Sequence, residues 1–259
     1  MILALNIGNS NITFGGYTPD GKLVFSSRLF ADTALSSDEL LYKIVNMLAL
    51  YGAEPQQITA VIFSSVVPAL TPRLREALRK MCECQIMEVG PGLKSGVRIR
   101  MDNPAQLGAE LLCGAVAALE EGPGPLAVIS ADTAISIMAV NGKQELVGGV
   151  ILPGPQLSLS ALVQKSAQLP QIDLSAPASS SILGKNTSAC LQNGFVLGTA
   201  GLLDGLAERF QAELGPDIRF YATGNLPRTI REACRTPIEY REYLITDGLY
   251  RIWQKNRKG

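Results

Sequence analysis

The chain contains no histidine among its 259 residues. A Ser-His-Asp or Cys-His mechanism, a His-ligated zinc site and a histidine general base are therefore excluded. Acid–base chemistry falls to carboxylate, lysine, tyrosine or cysteine side chains. Net charge is absent too, because 23 Lys and Arg balance 23 Asp and Glu. With no overall field to attract nucleic acid or an anionic membrane, a small molecule or a soluble protein is the expected partner.

Sequence signals for a disulfide framework, a metal site or a membrane span are also missing. The five cysteines are scattered, and the only close pair is the C-x-C of Cys82 and Cys84, so we expect ordinary reduced thiols. The first residues lack a basic leader, and no apolar run approaches the roughly 18 residues of a membrane span. We expect a cytoplasmic protein without a membrane interaction.

Periodicity along the first half predicts an α/β arrangement in the order βββαβαβ. A meander of three strands opens the chain, and a helix over Ser36–Tyr51 follows, with Ser37 as its N-cap. Glycine, proline and basic residues fill a loop over 90–104, after which a helix is predicted over Ala105–Glu121. The other predicted segments of this half are the strands Ile2–Asn6, Ile12–Tyr17, Lys22–Leu29, Thr59–Ser64 and Gln85–Val89, and a helix from Pro72.

The opening pattern recurs after the Gly-Pro segment 122–125, which is the predicted domain boundary. Aligning the second copy with the first places Ser130 on Asn6 and Asp132 on Gly8. We therefore predict two α/β domains, residues 1–121 and 122–259, with the option that the last helix packs back on the first domain. The predicted segments of the second half are the strands Leu126–Ser130, Ala134–Val140, Gln144–Val150 and Ile218–Thr223, and the helices Gln156–Gln168, Thr187–Glu213, Leu226–Cys234 and Thr246–Lys255.

A near-regular series of glycines interrupts the long helix predicted over Thr187–Glu213. Each glycine costs a helix about 1 kcal/mol relative to alanine unless a neighbouring backbone packs closely against it. We therefore expect close packing along this helix, with a subunit interface as one possible partner. The glycines are Gly194, Gly198, Gly201 and Gly205.

Two similar halves, each opening with a strand-turn-strand, suit a cleft in which both turns grip the phosphates of a nucleotide. Small residues let successive backbone N–H groups converge on phosphate oxygens, and carboxylates at the strand ends hold a metal ion. This arrangement resembles the duplicated ribonuclease H-like domains of the actin and sugar kinase type. Neither a P-loop nor a G-x-G-x-x-G pattern occurs, so those nucleotide sites find no support.

Ordered motifs along almost the whole chain resemble those of the type III pantothenate kinases, which phosphorylate pantothenate with ATP in coenzyme A biosynthesis. The resemblance implies a homodimer that uses ATP, Mg²⁺ and a monovalent cation, K⁺ or NH₄⁺. The matching segments are Asn6–Ser10, Gly92–Gly96, Asp102–Pro104, Gly108–Leu111, Asp132–Ala134, Gly148–Gly154, Leu183–Thr187, Thr223–Gly224 and Leu244–Leu249.

The resemblance also implies a role for individual residues. Glu110 occupies the place of the general base. Candidate ATP and phosphate contacts are Asn6, Gly8, Asn9, Ser10, Asn11, Asp132 and Thr133. Candidate substrate contacts are Lys94, Gly108, Ala109, Glu110 and Thr187, and the weak metal-ligand candidates are Asn6, Ser130 and Asp132.

Most departures from the family pattern fall on its charged positions. Asn6, Glu110 and Ser130 each stand where the family has aspartate, Leu111 replaces an arginine, and Asp132 replaces a glycine. A neutral amide binds Mg²⁺ poorly, and a base misplaced by roughly 1 Å can cost about 100-fold in rate. The substitutions therefore predict weak or absent pantothenate kinase activity.

Two alternatives stay open at this point. A binding or regulatory protein would retain the fold and ATP affinity without turnover. A kinase for another small alcohol would explain Leu111, because an apolar side chain cannot pair with a carboxylate as arginine does. The basic residues of the 90–104 loop can either be solvated or bind a ligand, and the sequence does not favour one role over the other. They are Lys94, Arg98 and Arg100.

Overall fold

The computed structural model describes residues 1–176 and 181–257, which form two compact units. One unit comprises Met1–Glu121 with Tyr243–Gly259, and the other comprises Gly122–Glu242. The strands are β1 (Ile2–Ile7), β2 (Asn11–Tyr17), β3 (Leu23–Phe30), β4 (Ala60–Ser65), β5 (Gln85–Glu88), β6 (Arg98–Ile99), β7 (Leu126–Ala131), β8 (Ala134–Val140), β9 (Glu145–Pro153), β10 (Arg219–Gly224) and β11 (Ile238–Tyr240). The α-helices are α1 (Ser37–Leu50), α2 (Thr71–Met81), α3 (Ala109–Glu120), α4 (Pro155–Gln164), α5 (Thr187–Leu214), α6 (Arg228–Ala233) and α7 (Leu244–Asn256).

The sheet of the first unit runs in the order β3-β2-β1-β4-β5. Strands β1, β2 and β3 form an antiparallel meander, and β4 and β5 extend the sheet in parallel with β1. Strand β1 is buried throughout, which explains its continuous apolar sequence. Leu3 and Leu5 join the core beneath α1 and α2, while Ile2 and Ala4 join the core beneath α3 and α7. The alternation of side chains along β1 therefore supplies both cores.

The second unit repeats this plan. Its strands run in the order β11-β10-β7-β8-β9, with β7, β8 and β9 antiparallel and β10 and β11 parallel to β7. A register shift interrupts each meander at a corresponding place, at Gly16/Tyr17 in the first unit and at Ala139/Val140 in the second. The predicted duplicated α/β fold is confirmed.

Several predicted helix ends need correction. The N-cap of α1 is Ser36 rather than Ser37, because Ser36 and Glu39 form a reciprocal capping box. Helix α3 begins at Ala109 rather than at residue 105, since Pro104–Gln106 forms a separate 3₁₀ turn. Helix α4 ends at Gln164 rather than at residue 168.

The cysteine prediction was wrong at one pair. Cys82 and Cys84 form a disulfide, and their Cα atoms lie 5.3 Å apart, within the range that a disulfide spans. Cys113, Cys190 and Cys234 are free. A C-x-C spacing alone did not predict this, because the backbone between α2 and β5 decides whether the two side chains converge.

The glycines of α5 do not pack closely within the chain. A Cβ atom added at Gly194, Gly198, Gly201 or Gly205 would meet no other described atom within 4 Å. The expected close packing is therefore absent from the part of the chain that the structure describes, and a subunit interface stays a prediction. Over the same residues, every helix is too short or too polar to cross a membrane.

Candidate functional site

The candidate site of the first unit begins at the carboxyl end of β1, where Asn6 lies. Asn6 is 5% exposed, and it faces Ser64 of β4 in the parallel register. Because ligands of open α/β sheets bind beyond the carboxyl ends of parallel strands, these residues occupy a suitable place.

Asn6 connects two strands to a helix through both ends of its amide. The Ser64 hydroxyl donates to Asn6 Oδ1 at 2.8 Å. Asn6 Nδ2 donates in turn to Glu110 Oε2 in a long hydrogen bond of 3.4 Å. The structure thus brings together the predicted phosphate-site residue Asn6 and the predicted base Glu110.

Glu110 lies in the first turn of α3, directly after the N-cap Gly108 and Ala109. The positive end of the helix dipole is a favourable place for its negative charge. The side chain is partly exposed, so it can reach both Asn6 and a ligand. A carboxylate in this position can accept a proton from a hydroxyl group.

Cys113 lies one turn beyond Glu110 on α3 and is fully buried. Burial raises the pKa of the Cys113 thiol, and a hydrogen bond with Ser64 opposes that shift only in part. The side chain therefore stays a neutral thiol at neutral pH, and it is not a candidate nucleophile.

The β1–β2 turn carries the predicted phosphate-binding residues of the first unit. The Gly8 N–H donates to the Asn11 carbonyl at 2.9 Å, and the Ala31 N–H donates to the Ser10 carbonyl at 2.9 Å. Gly8 is buried, Ser10 and Asn11 are partly exposed, and Asn9 is exposed at the tip. The turn is small, polar and fixed by its backbone, as a phosphate contact requires.

The corresponding turn of the second unit follows Ser130, which is 8% exposed at the end of β7. The Asp132 N–H donates to the Ala134 carbonyl at 2.8 Å, and Asn225 Nδ2 donates to Asp132 Oδ1 at 2.9 Å. Thr133 is exposed, and its carbonyl accepts the Gly154 N–H at 2.9 Å. The Asp132 carboxylate is thus held by an amide donor.

Sequence reasoning missed Asn225 as a member of this site. Gly224, which precedes it, has a φ of +85°, and a Cβ at Gly224 would collide with the Ala131 backbone. The chain therefore needs glycine there to bring Asn225 beside the end of β7. The sequence signal for Asn225 was the Thr-Gly-Asn run at the carboxyl end of β10. Because β10 is parallel to β7, the carboxyl ends of the two strands lie at the same edge of the sheet.

The predicted substrate-binding residues lie on several elements. Lys94 has an exposed side chain, and its backbone exchanges two hydrogen bonds of 2.9 Å with the Asn256 side chain of α7. Thr187 is exposed at the first position of α5. Leu111, where the family resemblance leads us to expect arginine, is 5% exposed. It is therefore an apolar packing residue beside the predicted base.

The residues at the two strand ends do not fit a resident Mg²⁺ ion. Magnesium prefers carboxylate oxygens, but neither Asn6, whose Oδ1 accepts the Ser64 hydroxyl, nor Ser130 carries a negative charge. Among the residues that the structure describes, no group of three or more His, Cys, Asp or Glu side chains could hold a metal ion. Of the three predicted metal ligands, Asp132 is the one with a carboxylate, and its Oδ1 accepts the Asn225 amide.

Comparisons with known proteins concern the sequence as a whole and the fold. The sequence profile of the family described as type III pantothenate kinase matches residues 2–209. A type III pantothenate kinase from Geotalea daltonii is 36% identical over 258 residues, which cover 100% of both chains.

Solved structures show the fold. A Campylobacter jejuni protein assigned to the Baf family of transcriptional activators has a TM-score of 0.60 at 20% identity, over 98% of each chain. A 2-dehydro-3-deoxygalactonokinase protein from Sinorhizobium meliloti has a TM-score of 0.56 at 12% identity, also over 98% of each chain. The fold is that of the sugar kinases and actin-like ATPases, and the chain belongs to the type III pantothenate kinase family.

Proposed function

We propose that this chain transfers the γ-phosphoryl group of ATP to pantothenate, at a rate well below that of a relative with aspartate at positions 6, 110 and 130. The contact between Asn6 Nδ2 and Glu110 Oε2 at 3.4 Å carries the proposal. It holds a carboxylate beside the strand end at which the nucleotide phosphates are expected.

In the proposed reaction, Glu110 accepts the proton of the primary hydroxyl group of pantothenate. The hydroxyl oxygen forms a bond to the γ-phosphorus, the bond between that phosphorus and the bridging oxygen breaks, and ADP leaves. The turn residues Gly8, Asn9 and Ser10 bind phosphate oxygens. Positioning supplies most of the catalysis, because phosphoryl transfer requires little covalent chemistry from the protein.

The low rate follows from the loss of negative charge at two strand ends. Asn6 and Ser130 are neutral, and Asp132 is held by the Asn225 amide. We propose that Mg²⁺ enters with ATP, as part of the substrate, and is held mainly by the phosphates. Use of K⁺ or NH₄⁺ remains a prediction from family membership.

Leu111 supports a second candidate, a kinase for a small alcohol that lacks a carboxylate. The leucine side chain carries neither charge nor hydrogen-bond donors, so it cannot pair with a carboxylate as an arginine would. The fold and family membership are also compatible with a non-catalytic nucleotide-binding or regulatory paralogue. ATP affinity without phosphate transfer to any alcohol would favour that role.

We further propose a cytoplasmic homodimer. The proposal rests on the family resemblance, and exposed large apolar side chains on several elements of the second unit are compatible with self-association. They are Ile151, Leu157, Leu162, Ile182, Leu183 and Leu202.

The experiment is a measurement of ATP-dependent pantothenate phosphorylation by the purified protein with Mg²⁺ and K⁺. The matched variant carries Asn6→Asp, Glu110→Asp, Leu111→Arg and Ser130→Asp. Slow turnover by the unmodified chain and a gain of about 100-fold in the variant are expected. Turnover already as fast as the variant's would contradict the proposed low rate. Phosphate transfer to other alcohols but not to pantothenate would favour the second candidate.

A further inference from the structure

We propose that Ser64 is a positioning residue, which sets the direction of the Asn6 amide and through it the place of the Glu110 carboxylate. The proposal rests on the proposed function, in which Glu110 accepts a proton. Ser64 does not touch the substrate in this scheme.

The hydroxyl of Ser64 contacts Asn6 directly, and it can affect Glu110 through Asn6. Ser64 is 0% exposed, it lies beside Asn6 in the parallel pairing of β1 with β4, and its Oγ donates to Asn6 Oδ1 at 2.8 Å. The Cys113 thiol also contacts the Ser64 hydroxyl. Ser64 is thus fixed between α3 and β1.

The direction of an asparagine amide matters because its two ends have opposite hydrogen-bonding character. The Nδ2 end of Asn6 can donate to the Glu110 carboxylate, whereas the Oδ1 end would face it as a second acceptor. Since Asn6 is 5% exposed, water cannot readily replace either partner. The Ser64 hydroxyl, which donates to Oδ1 in the structure, and the Glu110 carboxylate, which can only accept, together favour the amide direction in which Nδ2 points toward Glu110.

With an aspartate at position 6, the position of Glu110 would not depend on Ser64 in this way. An aspartate has two equivalent acceptor oxygens, so its direction would need no selection, and it would repel Glu110. With asparagine at position 6, the position of Glu110 comes to depend on the Ser64 hydroxyl. Loss of that hydroxyl should therefore disturb a group on α3, although β4 and α3 are distant in sequence.

The first test does not depend on activity. The side-chain amide resonances of Asn6, assigned by their loss in Asn6→Ala, are recorded in a ¹⁵N spectrum with and without Glu110→Ala. We expect Glu110→Ala to shift these resonances in the wild type, and the shift to fall by at least half in a Ser64→Ala background. Equal shifts in both backgrounds would overturn the proposal.

The second test separates positioning from a merely structural role. Ser64→Ala should lower kcat for phosphate transfer about 10- to 100-fold with KM nearly unchanged. In an Asn6→Ala background it should have no further effect, because Ser64 acts through Asn6. Additive effects of the two substitutions would contradict the proposal.

Ser65→Ala is the matched control. Ser65 is the next residue of β4, and its hydroxyl contacts Thr71 at 2.7 Å rather than Asn6, so kcat should stay unchanged. If the wild type does not phosphorylate pantothenate, the proposed function fails. The amide resonances still decide the role of Ser64 in that case, so the two failures are distinguishable.

Discussion

Asn6 and Glu110, which are 104 positions apart in the sequence, meet through a hydrogen bond from Nδ2 to Oε2 of 3.4 Å. One lies at the end of β1 and the other in the first turn of α3. The amide at position 6 and the carboxylate at position 110 therefore form a matched donor and acceptor. Two positions at which the family resemblance predicts aspartate are thus structurally linked.

Asn6→Asp is expected to destabilise the fold, although the family resemblance predicts aspartate at this position. The substitution removes the Nδ2 donor that Glu110 accepts. It also places a second carboxylate beside that of Glu110 in a largely buried position, so that two negative charges repel each other. The free energy of unfolding at pH 7 should fall by about 1–3 kcal/mol in urea titrations. The double variant Asn6→Asp with Glu110→Gln should recover most of that loss. A single variant as stable as the wild type would contradict the linkage.

Gly248→Ala is expected to disrupt the packing of α7 on α3. A Cβ at Gly248 would overlap the Cys113 carbonyl, which belongs to the backbone and cannot move aside. The free energy of unfolding should fall by about 3 kcal/mol. Gly205→Ala in α5 is the control, since its Cβ would meet nothing within 4 Å. The control should leave stability unchanged or raise it by about 1 kcal/mol. Equal effects at both positions would contradict this packing argument.

Tyr17 should make the protein sensitive to alkaline pH. Its hydroxyl donates to Asp247 Oδ1 at 2.7 Å, and burial, with a further contribution from the Asp247 charge, raises the pKa of Tyr17 well above its ordinary value. As the pH rises, the unfolded chain therefore releases this proton before the folded protein does. The contribution of Tyr17 to the free energy of unfolding is fully present below about pH 10 and is lost progressively above it. Urea titrations between pH 8 and pH 11 measure the effect.

Tyr17→Phe isolates the contribution of this hydroxyl. At pH 8 the variant should be less stable than the wild type by about 1–2 kcal/mol, because Asp247 loses a donor. The difference should shrink as the pH rises above about 10. A difference that stays constant up to pH 11 would show that Tyr17 does not carry the alkaline sensitivity.

Asp204 should contribute to stability at neutral pH and lose that contribution in acid. It is 3% exposed on α5, and it accepts the N–H groups of Thr236 at 2.9 Å and Arg235 at 3.0 Å. Burial alone would raise the pKa of Asp204, but these donors outweigh it and hold the pKa below its ordinary value. The contribution is therefore present above about pH 4 and lost as the pH falls through the folded-state pKa.

Asp204→Asn tests this assignment. The variant should be less stable by about 1–3 kcal/mol at pH 7, and the difference from the wild type should diminish below about pH 4. Thermal or urea unfolding at both pH values is the measurement. If the destabilisation were equally large at low pH, loss of packing rather than loss of the carboxylate would be its cause.

The sequence by itself determined the duplicated α/β plan and the family. Strand β1 is apolar throughout because both of its faces are buried, and each half repeats a meander whose turn is small and polar. These features are local periodicities, so they can be read without knowing any long-range contact. The resemblance of the motifs to the family, rather than these periodicities, predicted Asn6 and Glu110 as site residues.

Only the tertiary structure decided which partners those residues have. The hydrogen bonds of Asn6 with Ser64 and Glu110 cross from β1 to β4 and α3, and the bond of Asp132 with Asn225 crosses from the β7–β8 turn to the end of β10. Residue spacing along the chain does not determine such contacts. They depend on the strand register and on how closely each helix approaches the sheet, which packing of the whole unit decides.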